Sequence, residues 1–162
     1  MKNDAFAIYL NDHLGGSVGA IEILDHLIET YEDLPIAGFC QQLHHEVSSD
    51  QETLREIMRA LGVSESGMRK AGAWLGEKFS RAKMRVKGEE VGEPGLVLAL
   101  ESLVLGIKGK ELLWRTLGVL RPTWPPLDRF DFAPLHERAI NQGARTDAER
   151  LRVAQAAYQP ES

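Results

Sequence analysis

Apolar residues recur along the second quarter of the chain as Ile36, Leu43 and Ile57, and in parallel as Cys40, Val47, Leu54 and Leu61. A seven-residue repeat of this kind marks a helix with one buried face. Asp50 stands in a slot of that repeat where a hydrophobe is due. A carboxylate on an apolar seam is costly unless something pairs with it. The chain therefore poses one question, whether Asp50 meets a metal, a substrate or another side chain.

The same pattern predicts four long helices. The first covers about 4–32, where Leu10, Leu14, Ile21, Leu24, Ile28 and Tyr31 form a stripe with Ser17 at its centre and His13 at its edge. Gly15, Gly16 and Gly19 lie off that stripe and imply close approach of a neighbouring helix or subunit. The second helix covers about 35–61, opened by Pro35 and stopped at Gly62. The third covers about 96–120, with Leu96, Leu100, Leu103, Ile107, Trp114 and Leu117 on one face and Lys110 among them. A second apolar arc, Leu98, Leu105, Leu112, Leu113 and Leu120, implies burial on two sides. Glu101, Lys108, Glu111 and Arg115 fall on the remaining surface. The fourth helix covers about 131–158, with Asp131 as cap and Pro134 in the first turn. Phe132, Leu135, Ala139, Val153 and Ala157 mark its inner face, with Gln142, Thr146 and Arg150 on or near it.

Between the second and third helices lies a crossover, 63–95, ending in the loop 88–95. Its middle, Met68, Ala71, Leu75, Phe79 and Ala82, has helical spacing, and its other face carries Arg69, Lys70, Lys78, Arg81, Lys83 and Arg85. This basic amphipathic helix reads as a cover laid on the bundle, or as a surface for an anionic lipid or an acidic partner. Residues 66–87 hold seven basic side chains and one acidic, a net +6 within a chain of net −5. That overall charge argues against nucleic acid as a partner. One cysteine excludes an internal disulfide. No signal peptide or spanning segment appears, so the expected address is the cytoplasm.

Tight turns make helices one and two antiparallel, and likewise three and four. The long crossover reverses the order of the second hairpin, giving up, down, down, up. All 162 residues then form a single all-α domain. This arrangement resembles the ferritin-like superfamily, which covers rubrerythrins, bacterioferritins and the carboxylate di-iron enzymes. Glu46 to Gly62 reads like the second helix of such proteins, and Phe130 to Ala157 like the fourth. Within the superfamily the chain resembles a bacterial branch whose metal-ligand motifs are degenerate.

The resemblance implies a metal site built from a carboxylate on each of two helices and Glu-x-x-His on each of the other two. No Glu or Asp of this chain is followed three residues later by His. Aligned on Leu54, Val47 takes the Glu position and Asp50 the His position, and the fourth helix offers Glu149 and Arg152. Glu22 and His26, the first-helix candidates, lie off the apolar stripe. No cofactor is therefore expected. The alternative is iron or manganese on Asp50, Glu46, His13 and Glu149.

Measured along the bundle from the turn between the first two helices, Ser17, Asp50, Lys110 and Gln142 stand at one height. This predicts a buried Asp50–Lys110 ion pair hydrogen-bonded by Ser17 and Gln142, with Thr146 and His13 within a turn and Arg150 as the alternative cation. Such a layer reads as a polar network that fixes helix register, or as a small-molecule or proton-transfer site.

Other signals carry less. Gly15-Gly16-Ser17-Val18-Gly19 matches the hydrolase nucleophile elbow but lies inside a helix rather than after a strand. His44-His45-Glu46 only approaches a zinc motif, and His45 points to solvent. Cys40 reads as a small hydrophobe and the tryptophans as packing. The leading expectation is a non-enzymatic ferritin-like bundle acting as a binding, structural or homo-oligomerising module. The alternatives are a metal-binding protein or oxidoreductase with non-standard ligands, and a peripheral adaptor using the basic helix.

Overall fold

The computed structural model describes residues 2–66 and 93–160. The predicted basic helix with Arg69, Lys70, Lys78, Arg81, Lys83 and Arg85 lies outside the described residues. Among those described the chain is all-helical, with four long helices packed together: α1 (Lys2–Thr30), α2 (Pro35–Ala60), α3 (Glu93–Leu120) and α4 (Phe132–Ala157). Two short 3₁₀ turns, Arg121–Thr123 and Pro125–Leu127, join the last pair. No helix among the described residues is long and apolar enough to cross a membrane.

The helix ends follow local chemistry. Pro35 opens α2 where its missing N–H costs nothing. At the other end Gly62 takes φ +67°, and the Val63 and Gly62 N–H groups return to the Met58 and Arg59 carbonyls at 2.9 and 3.2 Å. That pair of bonds is a Schellman cap, and it needs a residue without a Cβ. Asp131 caps α4 by accepting from the Ala133 N–H at 3.3 Å. Helix α3 begins at Glu93, three residues earlier than the expected 96. Pro94 reads as a loop residue from sequence, yet a proline in the first helical turn forfeits no hydrogen bond.

Side-chain pairs fix the direction of each neighbour. Asp25 meets His44 and Ser17 meets Gln51, so α1 and α2 run antiparallel. Glu101 meets Arg150 and Lys110 meets Gln142, so α3 and α4 do too. Glu46 meets Arg145 and Asp50 meets Arg138, which sets α2 antiparallel to α4. The start of the crossover is tied to α1, where Asn11 donates to the Ser64 carbonyl at 3.1 Å and accepts from the Ser66 N–H at 2.7 Å.

The core is in two parts. One holds Leu24, Leu27, Ile36, Cys40, Leu43, Leu100, Leu103 and Val153. The other holds Leu10, Leu14, Leu54, Ile57, Trp114, Leu117, Leu127 and Phe132. The level of Asp50 separates them.

Two expectations about packing need correction. Leu98, Leu105 and Leu112 are 39%, 58% and 46% exposed, so the second apolar arc of α3 is not a buried face; only Leu113 and Leu120 of that arc turn inward. At Gly16 a Cβ would meet nothing within 4 Å, so this glycine does not serve close helix approach.

Candidate functional site

Asp50 is almost wholly buried, its side chain 2% exposed. Lys110 donates to its Oδ2 at 2.7 Å, and Gln142 donates to the same oxygen at 3.2 Å. Arg138 donates to Oδ1. Lys110 also donates to the Gln142 amide oxygen. Gln142 and Thr146 are fully buried, and the Thr146 hydroxyl donates to the Gln142 carbonyl at 2.8 Å. One carboxylate thus faces two cations and an amide, all at the seam between the two core clusters. The expected pairing of Asp50 with Lys110 and Gln142 is present.

Five other side chains of the expected sets have partners other than Asp50. Ser17 does not reach Asp50. Its hydroxyl donates to the Leu14 carbonyl at 2.6 Å and accepts from Gln51 at 2.9 Å, and Gln51 in turn accepts from Arg55 at 3.0 Å. A hydroxyl bonded to its own helix saturates locally before it can cross the core. His13 packs edge-on against Tyr9, ring centroids 4.7 Å apart, rather than against the carboxylate. Arg150 pairs with Asp147 and Glu101, and Glu149 with Arg152. Glu46 sits a turn from Asp50 and is held by Arg145 at 2.6 Å.

Arg138 and Arg145 are the residues that the helical wheel missed. A wheel places the Cβ, and an arginine head lies several bonds beyond it. Both belong to the α4 surface beside the inner stripe, and their stems carry the guanidinium inward to the α2 carboxylates. The available signal was charge spacing. Arg138 and Arg145 lie seven apart on α4, and Glu46 and Asp50 four apart on the antiparallel α2.

Burial holds the Lys110 ammonium below its ordinary range, against the opposing pull of Asp50, and the nearby Arg138 charge pushes the same way as burial. Burial likewise lowers His13, opposed by Asp12. Burial, with Glu149 adding to it, pushes the Cys40 thiol up to about 12, so this cysteine is un-ionised at neutral pH.

The layer borders a cavity of about 510 Å³ between α1, α2 and α3. Asp12, His13, Gly16, Ser17 and Ala20 form one wall, and Ser102, Leu105, Gly106, Gly109, Lys110, Leu113 and Trp114 the other. Val47, Asp50, Gln51 and Leu54 lie behind. The Trp114 Nε1–H is buried and has no hydrogen-bond partner.

These residues do not fit a di-metal centre. Among the described residues no three His, Cys, Asp or Glu side chains are grouped to hold a metal ion. The alternative set of Asp50, Glu46, His13 and Glu149 is not brought together. Two of its carboxylates accept from arginines on α4, and Asp50 accepts from an arginine and a lysine. The two serines that line the cavity are bonded to backbone. Ser17 donates to a backbone carbonyl rather than to a base, and Ser102 donates to the Leu98 carbonyl.

Compared with known proteins, the chain matches no family model, no curated protein and no solved structure.

Proposed function

We propose that this protein is a ferritin-like bundle, ordered up, down, down, up, that works as a non-catalytic binding module without a di-metal centre. The Asp50 layer carries the reading. At the height where ferritin-like proteins place metal, two cationic side chains and an amide occupy the carboxylate. A lysine ammonium beside a carboxylate takes the place of a cationic metal and excludes one by like charge. The layer then fixes the register of α2, α3 and α4, since sliding any helix by a turn would leave a buried charge alone. The helix directions and the single crossover support the ferritin-like part of the reading. Elemental analysis of the purified protein tests it. Iron and manganese are expected far below one per chain, after growth in metal-supplemented medium as well. Stoichiometric metal that is lost in Asp50→Asn would overturn the proposal.

A specific observation favours self-association as part of this role. The exposed apolar row on α3, Leu98, Leu105, Leu112 and Val119, repeats every seven residues and finds no cover among the described residues.

A further inference from the structure

Three features of the α1–α3 cleft point the same way. The first is space that helix packing does not require. Gly16 on one wall and Gly106 and Gly109 on the other would each meet nothing within 4 Å if given a Cβ. A glycine inside a helix costs about 1 kcal/mol relative to alanine, so this chain gives up helix stability to keep the cleft open. The second is a pair of donors. Lys110 and Trp114 are four residues apart on α3 and line the same cavity, so they stand one turn apart on one helix face. The ammonium has three N–H groups, of which two are used, on Asp50 and Gln142. The Trp114 indole N–H is unpaired, in a residue only 1% exposed. The third is charge. Lys110 is the one cation among the described residues lining the cavity, and it shares its partner Asp50 with Arg138 of α4. Asp12 is the remaining carboxylate of the cavity, and it stands at the exposed outer wall.

We propose that this cleft binds an amphipathic monocarboxylate, its apolar body against Leu54, Leu105 and Leu113 and its carboxylate accepting from Lys110 and Trp114. The inference rests on the reading of the protein as a binding module. A carboxylate answers all three features: it pairs with the ammonium that shares Asp50 with Arg138, satisfies the buried indole N–H, and brings a hydrocarbon tail to walls that include Leu54, Leu105 and Leu113. The negative charge of Asp12 at the outer wall directs the head inward and disfavours a second carboxylate on the ligand. A volume of about 510 Å³ suits one such molecule.

Titration calorimetry with decanoate, below its micelle-forming concentration, tests the assignment. Decanoate is expected to bind one per chain, and octanoate roughly tenfold more weakly because two methylenes fewer are buried. Decanol and decylamine, with the same tail, are each expected to bind at least tenfold more weakly than decanoate. Trp114→Phe keeps the ring and removes the donor, and should weaken decanoate about fivefold. Lys110→Met should weaken it more. Should Lys110→Met fail to fold, Gly106→Leu combined with Gly109→Leu provides an independent check. Those side chains enter open space, so the variant stays helical by circular dichroism and loses decanoate binding. No binding of decanoate, equal binding of decylamine, or undiminished binding by the filled variant would each overturn the inference. Failure here with a metal-free protein leaves the preceding reading standing, whereas a metal-loaded protein that binds decanoate removes that reading and leaves this one.

Discussion

Asp50 is a buried charge whose three donors come from three different origins on two helices: a lysine of α3, and an arginine and an amide of α4. Removing the charge alone strands the cations. Asp50→Asn should lower the unfolding free energy by about 3 kcal/mol, the low end for a broken buried pair. The low end applies because Arg138 is 41% exposed and can turn to water, whereas Lys110, 14% exposed, cannot readily do so. Urea unfolding measures the loss, and an Asp50→Leu, Lys110→Met double variant should recover part of it, since no charge of that pair is then left alone. A loss below about 0.5 kcal/mol, the scale of an ordinary surface substitution, would show that the pair contributes nothing. His13 supplies a pH test. Its folded-state pKa is lowered by burial, so below the ordinary value of 6.5 the unfolded chain binds the proton first. Stability is therefore full above pH 6.5 and falls as the pH drops through the window between 6.5 and the folded value. The difference in unfolding free energy between wild type and His13→Gln, measured from pH 7.5 to 5, should narrow across that window. A difference that stays constant would show that His13 does not titrate differently on folding.

At the scale of the helix, the glycines separate into two kinds that sequence reading treats alike. Gly62 is required by its left-handed backbone, so Gly62→Ala should cost about 1 kcal/mol. Gly106 and Gly109 have ordinary helical geometry with open space at the Cβ, so alanine at each should raise stability by roughly 0.5–1 kcal/mol. Thermal unfolding of the three single variants should therefore give shifts of opposite sign, and a destabilised Gly106→Ala would show that the cleft closes in solution. The helices themselves were legible from periodicity, because a buried stripe leaves a 3.6-residue signature wherever it is continuous. The Asp50–Lys110 pair was legible too, because both residues interrupt such a stripe at matching heights. Two things were not. Arg138 escaped because its Cβ lies off the inner stripe and only the long stem reaches the core. The outer face of α3 escaped because a row of leucines has the same pattern whether it packs inside the chain or meets something outside it. Periodicity reports that a face is apolar, and only the arrangement of the other helices decides whether that face is covered.

At the scale of the whole molecule, the self-association proposed for that outer face has a definite geometry that can be tested. Leu98, Leu105, Leu112 and Val119, the last 79% exposed, are spaced so that the row maps onto itself when reversed. In an antiparallel pair about a two-fold axis, Leu105 lies opposite Leu112 of the partner subunit, and Leu98 opposite Val119 of the partner subunit. The same reversal sets Glu101 beside Arg115 of the partner subunit, twice per interface, and Arg115 makes no ion pair among the described residues. Opposite charges flanking an apolar seam give an isologous interface its orientation. Leu105 also stands at the rim of the cleft, so the second copy would cover part of its mouth. Leu112 is the clean test position, because it belongs to the row and not to the cavity wall. Wild type is expected to sediment as a dimer, and Leu112→Lys as a monomer with unchanged helix content, since at 46% exposure the lysine head reaches water without disturbing the core. Arg115→Glu should weaken the dimer, and Glu101→Arg combined with Arg115→Glu should restore it. A wild type that sediments as a monomer at every concentration, or a Leu112→Lys variant that remains a dimer, would remove α3 as the interface.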